Sequence, residues 1–307
     1  MDTHSPGKVK LSTTMQVGMV LKDLQKVVDF YSSVFGIGPW VFREGASESK
    51  AGDRTYTYTT RTAFAPLGPV TLELFEIVEG RSPIHSNWMD KGREGVHHLG
   101  FYGSKEERDR IPTDLATMGI AVAQERSTNV FLDTEKTGGL YFEIIDNVPP
   151  PLPQAQKPTG KVTLPPSLQL GMVVKDVDRV VQFYQAAFGI GPWDRREGRS
   201  EVTVKGETYR FRTNLAFAPL GPITLELFQL VEGTSPVHAH WVDKGWEGIH
   251  HFGFHVTKEE RDRIVTGVAS AGVEVAQYGQ ATGANCTFLD TEKIGGVFFE
   301  LIVRSTG

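Results

Sequence analysis

The sequence predicts an α+β protein of two tandem modules, each made of two strand–helix–three-strand units. The first observation behind this is self-repetition. Gln16-Val-Gly-Met-Val returns as Gln169-Leu-Gly-Met-Val, FGIGPW at Phe35–Trp40 as Phe188–Trp193, AFAPLGP at Ala63–Pro69 as Ala216–Pro222, and KEERDRI at Lys105–Ile111 as Lys258–Ile264. All of these share one offset, which signals duplication of a whole domain. After Gln124 and Gln277 the second copy gains four residues, and FLDTEK at Phe131 reappears at Phe288. The second observation is the apolar period, which changes from two to 3.6 and back, twice within each copy. The third is a proline-rich stretch between the copies.

Within the first copy, Met15–Leu21 reads as a strand. Asp23 can cap the following helix, whose Leu24, Val27, Val28, Tyr31, Val34 and Phe35 recur at helical spacing. Gly36 stops it and Pro39 confirms the stop. Trp40–Arg43 reads as a short strand, and Arg54–Phe64, rich in threonine and aromatic residues, as a second. Pro66-Leu-Gly-Pro69 is a turn before a third strand, Val70–Val78. The order then restarts with a strand at Val96–Tyr102 and a helix at Ser104–Met118. Strands near Ile120–Gln124, Asn129–Leu132 and Leu140–Ile145 complete the unit. Ser104-Lys-Glu-Glu107 and Thr257-Lys-Glu-Glu260 are capping boxes. Pro112 interrupts the first copy's helix, but Val265 replaces it in the second, so it carries no functional weight.

The modules are placed at residues 12–147 and 167–303, with a linker at 148–166. Its prolines favour extended polyproline conformations. At about 3.1 Å per residue such a segment reaches roughly 60 Å, which leaves the packing of the modules open.

Bulk properties narrow the function. At 307 residues, 39% hydrophobic and 22% charged, the chain is ordinary for a globular protein. A net charge of -5 argues against a nucleic-acid partner. The lone Cys286 cannot form an intrachain disulfide, which suits a reducing compartment. Neither a signal-peptide core nor a run of membrane-spanning length is visible. A cytoplasmic protein, monomer or homodimer, is expected.

Several strands carry a polar residue where an apolar one belongs. Period two places Gln16 beside Gly18 and opposite Met15, Val17 and Met19. It places Glu73 with Thr71 and Phe75, His98 with Val96 and Gly100, and Glu143 with Tyr141 and Ile145. The second copy repeats this with Gln169, Glu226, His251 and Glu300. Glycine beside two of these residues leaves room for a close approach. A solvated sheet face is the plain alternative for any one of them. Two carboxylates gathered together, however, call for a cation between them. An oxygen-rich set with one imidazole suits a divalent ion: Zn²⁺, Ni²⁺, Co²⁺, Mn²⁺ or Fe²⁺. His97 and His250 alternate to the opposite face and read as core or supporting residues. His85, His238 and His240 fall in a polar loop and read as surface residues. Tyr56, Tyr209, Trp88 and Trp241 are candidates to line pockets or to pack in the core.

At these residues the sequence resembles the vicinal oxygen chelate superfamily, also called the glyoxalase/bleomycin-resistance/dioxygenase fold. The resemblance implies curled mixed sheets around a metal in each module, so two ions per chain. The implied ligands are Gln16, Glu73, His98 and Glu143, and in the second module Gln169, Glu226, His251 and Glu300. The helix-to-FGIGPW stretch and the HH pair look most like the methylmalonyl-CoA epimerase branch, whereas the ligand set is similar to that of glyoxalase I. The resemblance therefore implies an isomerase, epimerase or glyoxalase-type lyase acting on a small carbonyl substrate. Glu143 and Glu300 would be the leading proton-transfer bases, with Glu73 and Glu226 as partners. The alternatives are a non-catalytic small-molecule binder of the antibiotic-sequestering kind and an iron-dependent ring-cleaving dioxygenase. The latter needs a second histidine where both copies have glutamine. Epimerase-like members build the site within one module. Glyoxalase-like pairing would instead join Gln16 and Glu73 to His251 and Glu300.

Overall fold

Asp23 and Gly36 bracket the first helix as local chemistry demands. The Asp23 carboxylate accepts the Lys26 amide at 3.0 Å, and Gly36 adopts the left-handed conformation that closes the helix. In the computed structural model, which describes residues 7–147, 149, 151–152, 160–281 and 283–304, this helix is α1 (Leu24–Phe35), after β1 (Met15–Val20). There follow β2 (Val41–Ala51), β3 (Arg54–Leu67), β4 (Val70–Gly80), α2 (Pro83–Asp90) and β5 (Gly95–Tyr102). The module ends with α3 (Lys105–Ala116), β6 (Val122–Glu125), β7 (Asn129–Leu132) and β8 (Tyr141–Ile145). The second module repeats the order: β9 (Gln169–Val173), α4 (Val177–Phe188), β10 (Asp194–Val204), β11 (Glu207–Leu220), β12 (Ile223–Gly233) and α5 (Pro236–Lys244). It continues with β13 (Gly248–His255), α6 (Lys258–Ala269), β14 (Val275–Ala281), β15 (Ala284–Leu289) and β16 (Phe298–Arg304).

Each module's mixed sheet curls until it closes, in the orders β1-β4-β3-β2-β6-β7-β8-β5 and β10-β11-β12-β9-β13-β16-β15-β14. β1 runs parallel to β4 and antiparallel to β5, which is itself parallel to β8. The four strands predicted to carry polar residues are therefore consecutive neighbours.

Three local expectations need correction. β2 is much longer than Trp40–Arg43, because it pairs with β3 from Val41↔Phe64 to Ala51↔Arg54. Its polar sequence hides this, since it has little apolar surface to bury. The polar loop holding His85 is the helix α2, opened by Pro83 at its first position. Pro112 lies inside α3 and does not end it. The extended conformation expected of the linker falls largely outside the described residues.

The outward faces build a core shared by both modules. Met15, Val17, Met19, Leu72, Leu74, Leu99, Phe101, Phe142 and Ile144 join the apolar faces of α1 and α4 in it. Tyr31 and Phe35 of α1 pack on Phe299 of β16, with ring centroids 5.3 and 4.6 Å apart. Reciprocally, Tyr184 and Phe188 of α4 pack on Phe142 of β8, at 5.3 and 4.7 Å. Each module's first helix thus braces the other's closing strand. Backbone contacts repeat the exchange: Lys8 and Val9 bond to the end of α4, and Lys161 and Val162 to the end of α1. Arg93 crosses the same interface, its guanidinium 3.4 Å from the Trp88 ring centre while it donates to the Glu247 carbonyl.

Candidate metal centres

With the apolar residues of β1, β4, β5 and β8 turned to the core, their polar partners face the barrel interior and converge. The Gln16 amide nitrogen donates to Glu73 Oε2 at 2.9 Å and to Glu143 Oε2 at 3.2 Å. His98 Nε2 lies 3.1 Å from Glu73 Oε2 and 3.4 Å from Glu143 Oε2. In the second barrel Gln169 donates to Glu226 at 2.7 Å, and His251 Nε2 stands 3.3 Å from Glu226 and 3.2 Å from Glu300. All four residues of each set come from a single module.

The histidine pair departs from strict alternation. β5 bulges: Gly18 pairs with His98 while Met19 pairs with Val96, so His97 is the extra residue. Val96 consequently joins Leu99 and Phe101 in the outer core, and His97 faces inward with His98. β13 shifts register in the same way between Ile249 and His251. The imidazoles of His98 and His251 lie across Gly18 and Gly171. A Cβ at either glycine would stand about 2 Å from ring atoms, so glycine is obligatory there.

Behind each imidazole lies a second layer that sequence reasoning misplaced. His85 and His238 are buried on α2 and α5 and are not surface residues, whereas His240 is exposed. His85 stacks between Phe75 and His97, at 4.3 and 4.6 Å. Ser82 gives its hydroxyl proton to Gln124 Oε1 at 2.9 Å and accepts from His85 Nδ1 at 2.7 Å. The Val237 carbonyl can only accept, so His250 Nε2 donates to it at 3.0 Å. Burial holds His250 down at about 3, hence neutral, and its Nδ1 must accept from His251 Nδ1 at 3.2 Å. The same Nδ1–Nδ1 contact joins His97 and His98 at 3.1 Å. The chain of bonds leaves Nε2 of the second histidine directed at two carboxylates.

Burial alone would depress His98 and His251. The Glu73 hydrogen bond and the Glu143 and Glu73 charges outweigh it at His98, which is raised; Glu300 and Glu226 lift His251 to about 10. Burial, then repulsion by Glu73, raises Glu143 against the opposing pull of His98. Two carboxyl groups therefore face one imidazole in each buried site, and burial raises Glu226 as it does Glu143. A divalent cation that displaced the imidazolium proton would leave a neutral Nε2 lone pair, two carboxylates and an amide as donors. The residues present fit such an ion. Gln16 and Gln169 would ligate through the amide oxygen, which a half-turn of the amide exposes.

A cavity of about 300 Å³ opens onto the first set. Gln16, Glu73 and Glu143 line it together with Tyr102, Asn129, Arg43 and Arg126. Tyr102 donates to Gln16 Oε1 at 2.5 Å, and Asn129 donates to Glu143 Oε1. Neither was singled out from sequence. For Tyr102 the signal was available, since it follows His98 and Gly100 at period two. Its repeat partner His255 obscured that signal, just as Cys286 takes the place of Asn129. Trp88 and Trp241 are buried in small apolar clusters, Trp241 also lines a separate pocket with Pro236, Val237 and His240, and neither Tyr56 nor Tyr209 lines the first cavity.

Two closed barrels, each with an amide, two carboxylates and an imidazole on neighbouring strands, define a tandem protein with duplicated candidate metal centres. A family model described as the glyoxalase/bleomycin resistance protein/dioxygenase superfamily matches residues 15–135 and 168–289, and the chain belongs to that superfamily. Among solved structures it is similar to a mutant of 4-hydroxymandelate synthase from Streptomyces coelicolor. That match has 15% identity and a TM-score of 0.58, and covers 99% of this chain and 94% of the other. A xylose isomerase-like TIM barrel/4-hydroxyphenylpyruvate dioxygenase fusion protein is similar at 12% identity and a TM-score of 0.52, over 99% of this chain and 50% of its own. Methylmalonyl-CoA epimerase from Mycobacterium tuberculosis aligns at 21% identity and a TM-score of 0.36, over 47% of this chain and 91% of its own. At these identities the first two likenesses are of fold alone. No curated protein matches the sequence significantly.

Proposed function

We propose that the protein is a divalent-metal-dependent isomerase, epimerase or glyoxalase-type lyase, moving a proton at the carbon beside a carbonyl of a small substrate. The observation that carries this is the convergence of Gln16, Glu73, His98 and Glu143 at a cavity, duplicated in Gln169, Glu226, His251 and Glu300. When bound, the cation supplies Lewis-acid stabilisation for charge developing on the carbonyl oxygen. One ion per module, Zn²⁺, Ni²⁺, Co²⁺, Mn²⁺ or Fe²⁺, suits the donors.

The chain's own residues do the rest. Glu143 and Glu300 take the proton as the C–H bond breaks, and the electron pair shifts toward the carbonyl. The same carboxyl returns the proton to the opposite face or to the neighbouring carbon, so no oxidant is consumed. Asn129 holds the far oxygen of Glu143, which aims the other into the site. Glu73 and Glu226 act as partners, and the Tyr102 hydroxyl lies against the Gln16 amide. One imidazole per site, with glutamine at the first-strand position, disfavours iron-dependent ring cleavage.

The test is solvent deuterium uptake beside the carbonyl of levulinate in the cation-loaded protein. E143Q combined with E300Q is expected to abolish it. Uptake surviving in that variant but lost in E73Q with E226Q would transfer the base role, and no uptake by the unaltered protein into any carbonyl probe would end the proposal.

A further inference from the structure

We propose that module 1 alone reads an anionic substrate. Its substrate would be a small carbonyl compound bearing an anionic group, carboxylate or phosphate, which Arg43 and Arg126 read at the cavity mouth. The inference rests on the proton-transfer reading for the chemistry at the cavity floor.

The floor is Gln16, Glu73 and Glu143, of which Gln16 and Glu143 are buried, whereas Arg43 is exposed and Arg126 half-buried, so the two arginines mark the mouth. Most arginines of this chain are paired with carboxylates; Arg61, for example, bonds Glu44 and Glu76. Among the described residues neither mouth arginine is. Arg126 donates to Ser47 Oγ at 3.0 Å, and Arg43 lies 5.3 Å from the centre of the Phe64 ring. Glu44, the nearby acid on the wall, is already occupied by Arg61. Between mouth and floor the wall is hydroxylic: Ser47, Thr60 and Thr62. Two guanidinium groups without acidic partners at the entrance of a polar cavity form a receptor for a carboxylate or phosphate.

Module 2 keeps hydroxyls at two of these wall positions, Ser200 for Ser47 and Thr213 for Thr60, but departs at the others. Where module 1 has Ser49, Tyr58 and Thr62, it has Val202, Phe211 and Leu215, which pack with Val173, Phe228 and Trp241 into an apolar cluster. Arg196, the counterpart of Arg43, is bonded to Asp194 at 3.0 Å. Arg199, at the position of Ala46, also has a partner. The counterpart of Arg126 falls in the lengthened Tyr278–Cys286 stretch, which contains no arginine. That hairpin also zips onto β10 through Glu201↔Gln280, Val202↔Gly279 and Thr203↔Tyr278, whereas module 1 pairs there only at Lys50↔Glu125. The hairpin and the apolar cluster thus stand where module 1 has its arginine-bearing wall.

The experiment is calorimetric titration of the cation-loaded full chain with levulinate, methyl levulinate and dihydroxyacetone phosphate. One equivalent of an anionic probe is expected to bind, with the ester weaker by roughly tenfold or more; the tighter of the two anions identifies the group read. R43Q with R126Q is expected to erase that preference while metal content by elemental analysis stays unchanged, and R196Q to leave it intact. T62L, which imitates module 2, is expected to weaken levulinate as well. Equal affinity for acid and ester, two equivalents bound, or an unchanged R43Q/R126Q variant would overturn the proposal. Anion-selective binding without deuterium uptake would instead sink the proton-transfer reading and leave this one standing.

Discussion

Gly18 and Gly171 hold no charge and offer no donor side chain, yet the structure makes them the most sensitive test of the two centres. In Gly18→Ala the new methyl group would lie 2.0 Å from Cε1 and Nε2 of His98, and in Gly171→Ala 1.9 Å from the same atoms of His251. Ordinary contact begins at 3.4 Å, so the ring must retreat by about 1.5 Å, against the roughly 0.2 Å that a metal–ligand distance tolerates. The ring has nowhere to go. Phe131 stands edge-on at 5.2 Å, and the His97 ring at 5.4 Å closes another side. Overpacking of this kind costs about 1–3 kcal/mol of stability, and displacement of a ligand-supporting geometry about 10–100-fold in cation affinity. Gly45→Ala is the control: it lies on β2 beside the same cavity, with open space around it. Elemental analysis and thermal melts of the three variants are the assay. Gly18→Ala and Gly171→Ala are each expected to lose one cation per chain and to melt earlier, and Gly45→Ala to match the unaltered protein. Full cation content with an unshifted melt in Gly18→Ala would refute the placement of His98 across β1.

The second layer gives a further test. His97→Phe keeps the stack on His85 but removes the acceptor of His98 Nδ1; cation affinity, read by competition titration, is expected to fall about 10–100-fold. Unchanged affinity would show that the His97 bond does not hold the ligand. pH offers a third. His251 is raised from 6.5 to about 10, so its contribution to stability is complete below pH 6.5 and is lost as pH rises through 10. Cation-free protein should therefore lose melting temperature between those values. Loading at pH 8 should release about one proton at this site, measured by calorimetry in buffers of different ionisation enthalpy. The sign reverses for the buried neutral histidines. His238, lowered by burial, and His250, held at about 3, contribute stability above pH 6.5 that is lost on acidification. A melt indifferent to pH in both directions would contradict these environments.

The duplication, the capped helices and the eight inward-facing polar residues were legible in the chain because each depends on neighbours a few residues away. Asp23 finds the Lys26 amide, Gly36 supplies the left-handed turn, and period two separates Glu73 from Leu72 and Leu74 whatever the strand pairs with. Alternation failed where a long-range partner overrode it. The bulge at His97 exists because β1 and β5 must match register around Gly18, and no local rule records that. The second layer of Ser82, His85 and Gln124 needs α2 laid against β6, so His85 looked like a surface residue. The difference between the modules was equally hidden. Thr62 and Leu215 are both ordinary strand residues until barrel closure turns one onto an open polar cavity and the other into an apolar cluster. The sequence by itself determined which side chains share a face; only closure of the sheet and the exchange of helices between modules decided which faces meet, because those contacts join residues distant along the chain.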